Sequence, residues 1–220
     1  MSSYSPEQLR AARLTLAEAL ARSEEHLRTM LTRRSVRQFA PDDVPRALIE
    51  NALRVAASAP SGANQQPWTF VVVTDDEVKQ RIRAAAEHEE ELLYRERATD
   101  EYLHAIEPIG TNASKPHLTE APVLIAVFEQ AWRWENGEKR KHYYVRESVG
   151  IAVGFLLTAL HLSGLVALTH APSPMGFLRE ILERPENERP FLLIPVGYPA
   201  EDAEVPKLEK KSLEDVAIFV

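Results

Sequence analysis

Three guanidinium groups and one hydroxyl fall within five consecutive residues, Arg33-Arg34-Ser35-Val36-Arg37. Each arginine presents five donors in a planar fork and stays protonated, so the cluster suits a phosphate dianion. The chain carries neither G-x-G-x-x-G nor G-x-x-x-x-G-K-[ST], the two glycine-rich phosphate loops. Further along, the turn-rich run Ala59-Pro60-Ser61-Gly62-Ala63-Asn64-Gln65-Gln66-Pro67-Trp68 leads into the apolar stretch Thr69-Phe70-Val71-Val72-Val73. The formal net charge is −7, which disfavours nucleic acid and anionic membrane as partners. The arginines are therefore a local device and not part of a basic surface.

Other chemistries find little support. Cysteine is absent, which excludes disulfides, thiolate catalysis, iron–sulfur clusters and cysteine-ligated zinc. The seven histidines, His26, His88, His104, His117, His142, His161 and His170, form no H-E-x-x-H or related ligand spacing, so no metal is expected. Ser61 sits in Pro-Ser-Gly and not in G-x-S-x-G, against a serine hydrolase. Residues 1–13 lack an apolar signal core, and a cytoplasmic protein is expected.

The elements that must position these residues can be read from periodicity. Helices are predicted over residues 6–31 (entered through Ser5-Pro6), 45–58, 76–98, 144–163 and 174–183, and strands over 69–74, 122–128, 165–169, 191–199 and 216–220. Residues 99–120 read as less regular, broken by Pro108, Gly110 and Pro116. Trp132-Arg133-Trp134 before Asn136-Gly137 reads as a hairpin-like turn, followed by Lys139, Arg140 and Lys141 as a solvated turn or a docking patch. The helix at 144–163 approaches a membrane span in length, but Arg146, Glu147, Ser148, Thr158, His161 and Ser163 mark it as a core or dimer helix. Helices and strands alternate irregularly, which predicts an α+β class. The last strand lies far along a loop and could pair with a second chain.

Taken in order, Arg33-Arg34-Ser35-Val36-Arg37, Ala59-Pro60-Ser61-Gly62-Ala63 with Pro67 to Val73, Lys141-His142-Tyr143-Tyr144, Gly164-Leu165-Val166 and Pro195-Val196-Gly197-Tyr198-Pro199 resemble the flavin-dependent nitroreductase superfamily, most of all its iodotyrosine deiodinase branch. The resemblance runs from about residue 30 to the C-terminus. It implies an α/β sandwich with a mixed central sheet flanked by helices, an intertwined homodimer, and FMN at the dimer interface. The implied division is an N-terminal helical extension, 1–31, and an FMN-binding domain, 32–220, with a lid at about 87–117.

By position, the resemblance assigns Arg33, Arg34, Ser35, Val36 and Arg37 to the FMN phosphate and ribityl chain, joined by Lys210. Pro60, Ser61 and Gly62 would reach the cofactor from the other subunit. The lid would grip the amino acid portion of a halotyrosine or related halophenol through Glu90, Tyr94 and Lys115. Glu90 and Tyr94 are spaced to share a helical face, and a zwitterion needs one anion and one cation. The phenolate oxygen would meet the Ala63 N–H, as at an oxyanion site. Thr169, His170 and Ala171 would lie at flavin N5. Family members usually present a threonine hydroxyl there, whereas this chain has Ala171 before Pro172.

The resemblance thus implies reductive removal of halide. Ala171 keeps open a two-electron nitroreductase or quinone reductase, and a non-catalytic flavoprotein binding a tyrosine-like ligand is a third reading. The electron donor would be NAD(P)H or a flavodoxin- or ferredoxin-type protein.

Overall fold

The computed structural model describes residues 5–220, which divide into two compact units meeting between Arg33 and Arg34. The first holds one helix, α1 (Leu16–Leu31). It begins later than predicted. Thr15 and Glu18 form a reciprocal capping box, with the Thr15 N–H donating to Glu18 Oε2 at 2.9 Å and the Glu18 N–H donating to Thr15 Oγ1 at 3.3 Å. Two donors satisfied together outweigh the Ser5-Pro6 signal, and the residues from 5 to 14 have no regular structure.

In the second unit the helices are α2 (Arg46–Ala57), α3 (Asp76–Leu92), α4 (Asp100–Ile106), α5 (His117–Glu120), α6 (Val145–Leu162) and α7 (Gly176–Ile181). The strands are β1 (Trp68–Val73), β2 (Val123–Gln130), β3 (Trp132–Glu135), β4 (Glu138–Lys141), β5 (Val166–Ala167) and β6 (Glu188–Gly197). Four of them form a sheet in the order β1-β2-β6-β5 with antiparallel ladders, and β3 and β4 form a separate hairpin. One isolated parallel bridge, Ser35 to Ala167, lays the arginine segment alongside β5.

Strand β2 is apolar and buried from Val123 to Phe128 because both faces of the sheet are covered. Alternation sends Val123, Ile125 and Val127 toward α2 and α6, where Ile49, Ala52, Val149, Ala152, Leu156 and Leu160 complete one core. Leu124, Ala126 and Phe128 face the other way, onto Ile82, Ala86, Leu118 and Leu178. Helix α6 is long and apolar enough to cross a membrane by length and composition. One face of it, through Val149, Ala152, Val153, Leu156 and Leu160, is buried in this core.

Several predicted elements change. The predicted strand at 165–169 shortens to β5, with an isolated bridge from His170 to Leu193 beyond it. Residues 99–120 are more ordered than expected: they hold α4, a 3₁₀ turn over Glu107–Ile109 and α5. The predicted strand at 216–220 does not form. It has no neighbouring strand among the described residues, and Val216, Ile218, Phe219 and Val220 are exposed. The Trp132–Lys141 hairpin forms as read, with Asn136 and Gly137 at positive φ, 53° and 80°.

Candidate active site

The chain after β5 is extended at His170, whose N–H and C=O both pair with Leu193, at 2.8 and 2.9 Å. Extended backbone alternates its side chains. Thr169 and Ala171 are exposed on one side, and His170 is buried on the other. These residues end against a pocket of about 180 Å³ lined by Arg37, Glu90, Tyr94, Lys115, His117 and Thr169 to Ala171, among others. Residues distant in sequence are thus brought together: the arginine segment through its bridge to β5, Glu90 from the end of α3, and Lys115 from the residues before α5.

Helix α3 ends at Leu92 and continues as a π turn, Leu93–Arg97. Such wide turns cluster at functional sites, and this one carries Tyr94 to the pocket beside Glu90. The Lys115 ammonium stands 3.1 Å from Glu90 Oε2 and 3.0 Å from Thr111 Oγ1, and also donates to the Asn112 carbonyl. Glu90 is therefore not one of the solvated charges of its helix: its side chain is 10% exposed, and that of Lys115 3%. The Tyr94 hydroxyl donates to the Thr111 carbonyl at 3.3 Å. Burial, and then the Glu90 charge, raise the Tyr94 phenol above its ordinary value, so it stays a donor.

His117 and His170 meet edge to face with ring centroids 5.6 Å apart. The Nε2 atom of each is buried with no hydrogen-bond partner. Burial lowers His117 to about 4, assisted by Lys115 and Arg37. His170 falls to about 3, through burial and then His117, Lys115 and Arg37. Both imidazoles are neutral at pH 7. The sequence marked His117 only as a non-ligand; its place two residues after Lys115 was the one available signal.

The arginines offer a receptor for an anion. Among the described residues neither Arg34 nor Arg37 forms an ion pair with a carboxylate. Burial lowers the Arg37 guanidinium from its ordinary value, a cost that a bound anion would offset. Arg34 donates to the Pro206 carbonyl, four residues before the exposed Lys210. Val36 turns its side chain into the interior, and its N–H donates to Ala167 at 3.2 Å, so it can offer a ligand little beyond its carbonyl. Arg33 closes the first unit, its N–H on the Met30 carbonyl at 3.2 Å. Two guanidiniums without a carboxylate partner among the described residues and a hydroxyl at Ser35 fit the phosphate of FMN.

Ala63 is elsewhere. It lies in a 3₁₀ turn, Gly62–Asn64, before β1, one edge of the sheet, whereas the pocket adjoins β5, the opposite edge. Three strand spacings separate these edges, roughly 14 Å. Pro60, Ser61, Gly62 and Ala63 do not line the pocket. The Ser61 hydroxyl accepts the Gln66 N–H at 2.9 Å and keeps its proton to donate.

Residues 30–198 match the Nitroreductase family. The chain belongs to the nitroreductase family. Within this family its likeness is to the deiodinases. It is 54% identical over 202 residues to the iodotyrosine deiodinase of Haliscomenobacter hydrossis, a match covering 91% of each chain. Against iodotyrosine deiodinase 1 of Homo sapiens identity is 43%, over 92% of this chain and 71% of the human one. A solved structure of oxidised iodotyrosine deiodinase bound to FMN and 3-iodo-L-tyrosine superposes with a TM-score of 0.76 at 30% identity, covering 88% of this chain and all of that one. The expected α+β sandwich of the nitroreductase fold is therefore the one observed.

Proposed function

We propose that the pocket beneath the π turn receives the amino acid portion of a halotyrosine, with its ring lying toward Thr169 and Ala171. The chain is an FMN-dependent oxidoreductase, and its reaction is reductive dehalogenation of halotyrosines. When bound and reduced, FMN would supply two electrons that, with one proton, replace the carbon–halogen bond by carbon–hydrogen and release halide, leaving the flavin oxidised.

Arg34, Ser35 and Arg37, with Lys210, would hold the phosphate end. Glu90 would take the substrate ammonium and Lys115 its carboxylate, while the Tyr94 hydroxyl, on turning from the Thr111 carbonyl, would add a donor at the rim. Closing these residues over the ring would exclude water. The Ala63 N–H would receive the phenolate, from the loop of a second copy. The separation of that loop and the pocket at opposite sheet edges supports a homodimer, as do the exposed Ile151 and Phe155 of α6 and the unpaired apolar residues 216–220. We place the enzyme in the cytoplasm, away from membrane and nucleic acid, with NAD(P)H or a flavodoxin- or ferredoxin-type protein as the reductant.

The observation that carries this reading is the buried Glu90–Lys115 pair within the pocket that also holds Thr169 to Ala171. The test is anaerobic reduction of the holoprotein with dithionite, followed by 3-iodotyrosine. Flavin reoxidation with stoichiometric iodide is the expected result. A second reading rests on Ala171, which puts a methyl where a hydroxyl could have donated: two-electron reduction of nitroaromatics or quinones. Reoxidation by nitro compounds alone would favour it. Ligand binding with no reoxidation would leave a flavoprotein without catalysis.

A further inference from the structure

Three non-glycine residues of one short loop lie in the left-handed region: Ala63, Asn64 and Gln66, with φ of 50°, 53° and 48°. Such a run persists only where its surroundings over-determine it. Here the first turn of α6 supplies the constraint. The Gly62 N–H donates to Ser148 Oγ at 3.3 Å, and the Ser148 hydroxyl donates to the Tyr144 carbonyl at 2.6 Å. Gln65 Oε1 accepts the Tyr143 N–H at 2.7 Å. Gly62 is pressed so closely on this turn that a Cβ would stand 2.7 Å from the Tyr143 carbonyl oxygen and 2.9 Å from the Tyr144 ring. Ser148 is 3% exposed, so neither of its hydrogen bonds is shared with bulk solvent.

We propose that Ser148 is a positioning residue for the substrate: by tethering Gly62 it fixes the peptide unit between Gly62 and Ala63 and so aims the Ala63 N–H at the phenolate oxygen. The assignment rests on the reading that Ala63 receives the phenolate. The Gly62 nitrogen and the Gly62–Ala63 peptide are separated by one residue's φ and ψ, and the bond to Ser148 pins the first of them. Without the hydroxyl, the Gly62 N–H loses its acceptor and the left-handed turn loses a restraint on the helix side. The N–H of Ala63 then samples other directions, and a donor aimed at developing charge loses most of its value once its orientation is free.

The test uses the FMN-loaded protein with its flavin oxidised, so that ligands bind without turnover. 3-Iodotyrosine and 3-iodophenylalanine, which lacks the phenol, are titrated by flavin fluorescence against wild type, Ser148→Ala and Ser148→Thr. Wild type should prefer 3-iodotyrosine. Ser148→Ala should weaken it about tenfold, the scale of one well-aligned hydrogen bond to a charged oxygen, and leave 3-iodophenylalanine unchanged. Ser148→Thr should restore the preference, and the pH at which the bound phenol ionises should rise in Ser148→Ala. Should that variant not fold, Ser148→Cys, a weaker acceptor of similar size, is measured in the same way. Equal weakening of both ligands, or no change in a discriminating protein, would overturn the role of Ser148 alone. A wild type that binds both ligands equally would overturn the Ala63 reading and the assignment with it.

Discussion

The Glu90 carboxylate and the Lys115 ammonium stand 3.1 Å apart, their side chains 10% and 3% exposed. Each is the other's counter-charge, so a ligand with one charge alone would leave a buried partner unsatisfied. A zwitterion exchanges one ion pair for two. Lys115→Ala should therefore raise the dissociation constant of 3-iodotyrosine by about one to three orders of magnitude while leaving a simple halophenol unaffected. It should also cost about 3–5 kcal/mol of stability, because removing one member of a buried pair isolates the other. Glu90→Gln with Lys115→Met should recover most of the stability and none of the affinity. Flavin-fluorescence titration and thermal unfolding read the two effects separately.

The edge-to-face imidazoles of His117 and His170 set a pH dependence whose sign is fixed. Both are held below the ordinary value of 6.5, at about 4 and about 3. Between these values and 6.5 the unfolded chain binds protons that the folded one does not. Stability is therefore full above pH 6.5 and declines as pH falls toward 4, by up to about 1.4 kcal/mol per pH unit for each histidine. Arg37, Lys115 and Arg83 oppose protonation of His117, and Glu87 favours it. Melting temperatures of wild type and His117→Gln, compared from pH 7.5 to 4.5, should show the shallower slope in the variant. Parallel slopes would remove His117 as a source of acid sensitivity.

What the sequence made legible was the chemistry carried by short runs. Arg37 and Thr169 to Ala171 come from two such runs and line one pocket, whereas the conformation of the Pro60–Ala63 loop depends on its contacts with the start of α6. The two buried faces of β2 were legible as an uninterrupted apolar run. The helix start was misread because Leu9 and Leu14 continue the leucine spacing although Thr15 and Glu18 supply the stronger cap. The terminal strand was misread because apolarity marks a segment that needs a neighbour without saying whether the same chain provides one. His117 and Ser148 were invisible as site residues. Their meaning comes from contacts made across 53 and 86 positions, to His170 and Gly62 (170 − 117 and 148 − 62), and nothing local announces them.

Ala171 is open to a direct test by adding back a hydroxyl. It is exposed on the same side of the chain as Thr169, at the pocket. Ala171→Thr should shift the ratio of iodide release to nitro-compound reduction toward iodide by about tenfold, corresponding to about 1.4 kcal/mol in relative barrier. Both rates are measured on the same dithionite-reduced preparation, so the flavin content cancels. An unchanged ratio would mean that this position does not govern how the electrons are delivered, and Thr169→Val would then be the variant to compare.

Arg37 provides the sharpest test of cofactor capture, because its guanidinium is partly buried and unpaired with any carboxylate among the described residues. An anion is the partner it lacks. Arg37→Ala should weaken FMN binding about 100-fold, as expected for a lost charge-assisted contact, so that the protein elutes largely colourless and recovers colour only in excess FMN. Arg37→Lys should fall between the two, since a point charge replaces a planar fork. Lys210→Ala should have a smaller effect, because Lys210 is exposed and its charge is screened. Arg34→Ala should do two things at once, weakening FMN and loosening the segment around Pro206, whose carbonyl the guanidinium holds. Limited proteolysis after residue 206 separates the second effect from the first. If Arg37→Ala retained its full yellow colour through dialysis, the phosphate would have to be held by other groups.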